Sequence, residues 1–257
     1  MWYLGEPRIA FHPLYLPLFR YLHNITDMRT PKVPDPKADA RQVFQVLKHG
    51  GIAIIPMDVG YGIIAIEQRA LTCIVEAKRR DPHKRQAVIG SYLLHREIHA
   101  LPTREADIAR LLTVDLNLPL GVVAPYHFDH PIIQRIPSDV LEKGVMNGTL
   151  AMLMNAGELA EEVSLLASKE GHLVMGSSAN ITGTGSKITV EDIEPDILRV
   201  ADIIVDYGKQ KFHYPRPSST MIDFRNIEVL RYGACYDMIQ DALWRFCGIK
   251  VPDDPVP

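Results

Sequence analysis

Short β-branched runs alternate with segments of helical period from about residue 39 onward, and this mixed order constrains the chain more than any other feature. It predicts an α/β or α+β architecture and argues against all-helical and all-β folds. Ile52 to Ile55, Ile63 to Ile66, Leu150 to Met154, Leu173 to Met175, Ile203 to Asp206, Thr220 to Asp223 and Glu228 to Arg231 read as strands. Asp39 to His49, the segment around Leu71, Ile74 and Val75, Glu158 to Glu170, and Met238 to Phe246 read as helices. From Leu116 to Pro137 no period is sustained, and that stretch reads as loop-rich. No internal repeat is visible, which excludes a solenoid or propeller.

At 257 residues, 47% of them hydrophobic and 23% charged, the chain can bury a sizeable core in one domain. Residues 1–36 read as an amino-terminal extension and linker, 37–250 as the folded body, and 251–257 as a fraying tail. A formal charge of −3 disfavours nucleic-acid binding through bulk electrostatics. Cys73, Cys235 and Cys247 are far apart and form no CxxC pair, so neither a disulfide framework nor a cysteine zinc site is signalled. A reducing, cytoplasmic setting is expected. No run reaches the roughly 18 apolar residues of a membrane helix.

Four segments join loop backbone to polar side chains at strand or helix ends, where sites on α/β folds sit. They are Pro56 to Gly62, Lys78 to Arg80, Ser177 to Ser186, and Ser218-Ser219-Thr220 with Arg231-Tyr232-Gly233. Taken alone, each has a plain structural explanation: a charge run at a solvated helix end, or a serine loop that caps a helix. Taken together they suit a nucleotide triphosphate. Lys78, Arg80 and Arg231 can supply the positive charge, and Ser178, Asn180, Ser186 and Ser219 the neutral donors. His127 and His130 have no third or fourth ligand in view and read as surface or packed histidines, so no metal site is expected. Met152 and Met154 read as core filling, and Cys73 as a small buried hydrophobe.

In this order the segments resemble the YrdC-type threonylcarbamoyl-AMP synthase family, from about residue 37 to 235. The family's P-T-[DE]-T-x-Y-G loop becomes Pro56-Met57-Asp58-Val59-Gly60-Tyr61-Gly62, and its K-x-R becomes Lys78-Arg79-Arg80. Its S-A-N-x-[ST]-G becomes Ser178 to Gly183, its S-T becomes Ser219-Thr220, and its R-x-G becomes Arg231-Tyr232-Gly233. The resemblance implies a single YrdC-like domain, a twisted mixed sheet with helices around a large concave cavity. It also implies a nucleotidyltransferase that forms a carbamoyl-adenylate from ATP with Mg2+, bicarbonate and an amine for transfer-RNA modification, with Lys78 and Arg80 as catalytic residues.

The departures fall on the amino-acid side. Met57 and Val59 replace the two loop threonines, and Lys84-Arg85 stands where the family has N-P. Leu153 stands where an arginine is expected to pair with the threonine carboxylate. The acceptor pocket therefore reads as Met57, Tyr61 and Leu153, with threonine or another amine as its occupant. Competing readings are a family member with a different acceptor, and a nucleotide- or RNA-binding protein without catalysis. The cluster Lys78-Arg79-Arg80, His83-Lys84-Arg85 would suit RNA, double-stranded RNA included.

Overall fold

The computed structural model describes residues 34–81, 85–214 and 216–255. The extension read over residues 1–33 lies outside them. Helix α1 spans Pro36–Lys48 and begins earlier than the expected Asp39, because Asp35 caps it by accepting from the Ala38 N–H at 3.0 Å. Proline at the first helical position has no N–H to lose. The helix buries Ala40, Val43, Phe44 and Leu47, one face at helical spacing.

Strands β1 (Ala53–Met57) and β2 (Gly60–Ala65) follow. Between them the irregular loop expected from Pro56 to Gly62 is instead a tight hairpin in which Pro56 pairs with Tyr61 and Met57 with Gly60. The Tyr61 N–H points outward to Lys187 O at 2.8 Å, so Pro56 faces a position that asks for no donor and fits within a strand. Asp58 and Val59 make the turn, and Gly60 opens β2 at φ +127°, a conformation that favours glycine.

The remaining elements are α2 (Gln68–Ala77), β3 (Ala87–Gly90), α3 (Tyr92–Ile98), α4 (Thr103–Arg110), β4 (Leu120–Pro125), α5 (Pro131–Arg135), α6 (Ser138–Leu141) and β5 (Val145–Met146). Then come β6 (Thr149–Met154), α7 (Glu158–Lys169), β7 (Met175–Ser178), α8 (Pro195–Arg199), β8 (Ile203–Ile204), β9 (Thr220–Asp223), β10 (Glu228–Arg231) and α9 (Tyr236–Cys247). The ten strands form one mixed sheet in the order β10-β9-β4-β6-β3-β7-β2-β1-β8, with β5 on β6. Strand β4 corrects the loop-rich reading of residues 116–137. It lies between β6 and β9, and because residues 120–124 are all buried, with small or apolar side chains on the core face and the cavity face alike, it shows no alternation for a sequence to reveal.

No helix among the described residues is long and apolar enough to cross a membrane. The tail is also corrected. Val251 is buried, Tyr236 donates to Pro252 O, and Gln240 Nε2 donates to Pro252 O and Asp253 Oδ1, both at 3.0 Å. Arg216 pairs with Asp254 at 2.8 Å, so residues 251–254 are held on α9 rather than frayed.

Candidate functional site

Strand register sorts the sheet residues into two sets. Gly62 faces Ser178 across β2 and β7, Ala87 faces Gly176 across β3 and β7, and Gly121 and Val123 face Leu153 and Ala151 across β4 and β6. All of these line one cavity of about 310 Å3, at the small end for a ligand site. Intervening residues such as Ile63, Val88, Val122 and Met175 point the other way and are fully buried in the core. Small residues on the cavity side leave the floor open.

The charge in this cavity has one sign. Arg80, Arg85 and Arg231 line it, and among the described residues no aspartate or glutamate does. Ser178, Ser186, Ser218 and Ser219 add hydroxyls. Enclosure by protein lowers the Arg80 pKa; it lowers that of Arg231 too, and the nearby Arg80 charge adds to the effect. Arg231 is nonetheless open to solvent through the cavity mouth, and guanidinium stays charged at neutral pH.

Arg231 is positioned by the S-T and R-x-G segments acting on each other. Its Nε donates to Ser219 O at 2.8 Å and a terminal nitrogen donates to Ser219 Oγ at 2.9 Å. Thr220 Oγ1 donates to Ala234 O at 3.0 Å and accepts from the Gly233 N–H at 3.1 Å. A Cβ on Gly233 would lie 2.4 Å from the Ser219 carbonyl carbon, so only glycine lets the two backbones meet.

The S-A-N loop is organised differently from the sequence reading. Lys78, at the carboxyl end of α2, is 1% exposed and is not on the cavity wall. Its ammonium donates to Ser178 O, to Asn180 O at 2.6 Å and to Asn180 Oδ1 at 3.4 Å. Asn180 is itself buried behind the wall, where Oδ1 accepts from Ser178 Oγ and Nδ2 donates to Ile181 O at 2.5 Å. Of the expected nucleotide residues, Arg80, Ser178, Ser186, Ser219 and Arg231 therefore share the wall, while Lys78 and Asn180 brace Ser178 from behind. The solvated-helix-end explanation holds for Arg79, whose side chain is 70% exposed against Asp196, and fails for Lys78.

On the acceptor side, Met57 and Leu153 line the cavity together with Val59, Ile89, Val123 and Met221, an apolar wall. Tyr61 lines it too, but its hydroxyl does not serve a ligand. It donates to the Asp206 carboxylate at 2.6 Å with Gly208 O 2.9 Å away, and burial followed by the Asp206 carboxylate raises its pKa. Lys84 lies outside the described residues.

With this geometry in place, comparison with known proteins is informative. The profile of the Sua5/YciO/YrdC family, described as telomere recombination, matches residues 45–233. The chain belongs to the Sua5/YciO/YrdC family. No curated protein matches it by sequence. Among solved structures it resembles the hypothetical protein smu.1377c from Streptococcus mutans, with a TM-score of 0.68 and 21% identity over 82% of this chain and 93% of that one. P. abyssi Sua5 complexed with L-threonine gives a TM-score of 0.63 at 20% identity, covering 84% of this chain and 59% of that one. E. coli YciO gives 0.57 at 17% identity, covering 79% and 92%. At these identities the likeness is one of fold.

Within this Sua5/YciO/YrdC domain, the wall residues that motif reading missed include Gln86, Met146, Thr149 and Met221. They belong to no short motif. Alternation along β6 and β9 offers the signal for Thr149 and Met221, once the neighbouring strand is known to be buried. The buried histidines lie elsewhere: His95 Nδ1 meets His99 Nδ1 at 2.8 Å, and His99 Nε2 donates to Leu150 O at 3.1 Å. His130 accepts from the Ile132 N–H at 3.3 Å and so caps α5. Met154 fills the core, and Met152, though fully buried, also reaches the cavity lining.

Proposed function

We propose that the cavity binds ATP through Arg80, Arg231, Ser178, Ser186 and Ser219 and joins its adenylate to a carbamate made from an amine and bicarbonate. Arg80 and Arg231, on a wall that among the described residues holds no aspartate or glutamate, carry this reading, because guanidinium forks and hydroxyls are matched to a polyphosphate. The family is associated with threonylcarbamoyl-AMP synthesis, and the P. abyssi Sua5 of similar fold was crystallised with L-threonine. With no carboxylate among the described wall residues, the magnesium that accompanies a triphosphate would be carried by phosphate oxygens and water.

The amine adds to bicarbonate-derived carbon dioxide to give a carbamate, which loses its extra proton to solvent. One carbamate oxygen then attacks the α-phosphorus of ATP; the new O–P bond forms as the bond to the β-phosphate bridge breaks, and pyrophosphate leaves. No protein nucleophile is needed. Arg80 and Arg231 offset the charge gathered between carbamate and phosphates, and the braced Ser178 loop holds the nucleotide in one orientation. Lys78 contributes through that brace.

The acceptor departs from threonine. Leu153 and Met57 make an apolar wall that cannot compensate the desolvation of threonine's side-chain hydroxyl and offers no cation of its own to a carboxylate. Bicarbonate-dependent pyrophosphate release is expected to be poor with threonine and better with an amine of more apolar character. Efficient turnover at low threonine would make the chain an ordinary threonylcarbamoyl-AMP synthase. No turnover with any amine would leave a nucleotide-binding protein without catalysis.

A further inference from the structure

Arg85 is the cavity arginine that the phosphate reading does not use. Its Nε–H is buried without a hydrogen-bond partner, whereas Arg231 is bonded to Ser219 and Arg80 donates to the Arg85 carbonyl. The next residue, Gln86, is also on the wall and is 1% exposed, and both its amide Oε1 and Nε2 are buried and unpartnered. The large majority of buried polar groups in folded proteins are paired, and here the other unpartnered side-chain atoms, on Gln68, Ser164 and Ser177, occur one to a residue. Three unpaired groups on two adjacent residues beside a cavity therefore mark a place for a polar group that the chain itself does not supply.

The surroundings narrow its chemistry. The Gln86 N–H donates to Lys143 O at 2.7 Å, which puts this end of the cavity beside Gly144, Met146 and Thr149. Along β3 the wall turns apolar at Ala87 and Ile89, and Ile89 stands in register with Leu153. A guanidinium edge matches a carboxylate, and a glutamine amide can give one N–H and accept another. We infer that Arg85 and Gln86 form a subsite for the carboxylate of the acceptor, and that the acceptor is an amino acid with an apolar side chain laid along Ala87, Ile89 and Leu153. A rotation about the terminal torsions of the two long side chains turns their unpaired groups to the incoming carboxylate. Arg85 then supplies, from another strand end, the cation absent at Leu153. The inference rests on the proposed carbamoyl-adenylate reading of the same cavity.

Titration calorimetry with L-leucine and L-leucinamide tests it, each added to the full chain with and without a non-hydrolysable ATP analogue. Leucine should bind more tightly than leucinamide, and Arg85→Met should abolish that preference with a loss of about 10- to 150-fold in leucine affinity, as for a hydrogen bond to a charged group. Arg85→Lys should restore part of it. Gln86→Leu removes two unpaired buried groups, so it should raise the melting temperature while weakening leucine binding; a purely structural Gln86 would leave the affinity unchanged. Equal affinity for acid and amide, binding of neither, or a preference that survives Arg85→Met would overturn the inference. Failure of the nucleotide reading shows separately, as absence of ATP-analogue binding by the unaltered protein.

Discussion

At the scale of single residues, Lys78 and Arg79 show how two adjacent cations can have unrelated roles. Arg79 takes φ +49°, so the chain turns between them, and one side chain goes into the protein while the other goes out to Asp196. The Lys78 ammonium satisfies the buried Asn180 carbonyl and shares the Ser178 carbonyl with the Asn180 N–H. Lys78→Met should therefore lower stability by about 3 kcal/mol and loosen the Ser178 loop, whereas Arg79→Ala should change stability by about 0.5 kcal/mol or less. Equal melting temperatures for the two variants would contradict this account. A basic tripeptide carries no mark of that division, since the inward turn depends on a backbone conformation that residue type does not dictate. Arg80, Ser219 and Arg231 were legible because motif order placed them together and the backbone contact at Gly233 requires it.

Among elements, those read well were strands with one exposed face or clear ends, such as β6, β9 and β10, and α7 with its single apolar stripe. Strand β4 was missed because Leu120 to Ala124, between prolines, is small or apolar on the core face and the cavity face alike and shows neither period. Acid sensitivity also belongs to this scale. Burial, then the charge on Arg96, lowers the His95 pKa to about 4; burial, then His95, lowers that of His99 to about 3. Both would charge near pH 6.5 in the unfolded chain, which therefore binds more protons as pH falls below that value, and stability is lost from about pH 6.5 downward. Burial alone would raise the Glu194 carboxyl, but bonds from Thr184, Lys187 and the Ile181 N–H outweigh it and hold the pKa at about 2. Its stabilising contribution is present above about pH 4.3 and is lost as pH falls toward 2. Urea midpoints should decline from about pH 6.5 to pH 4 and fall further toward pH 2; a flat profile between pH 7 and pH 4 would contradict the histidine assignments, and no further decline below about pH 4.3 would contradict that of Glu194.

For the whole molecule, the informative quantity is where charge sits rather than how much there is. A chain with a formal charge of −3 gathers three arginines around one cavity whose wall, among the described residues, holds no carboxylate. Such a cavity concentrates anions against the overall charge, which favours a small phosphorylated ligand over a nucleic-acid backbone spread across the surface. The sheet makes this arrangement by presenting small residues on one side, while its opposite side packs a continuous core. Titration of ATP into the unaltered chain and into Arg231→Ala tests that claim most directly. Binding by the unaltered chain, weakened about 10- to 150-fold by the loss of charge-assisted hydrogen bonds in the variant, is the predicted result; equal affinity in the two, or no binding by the unaltered chain, would contradict it.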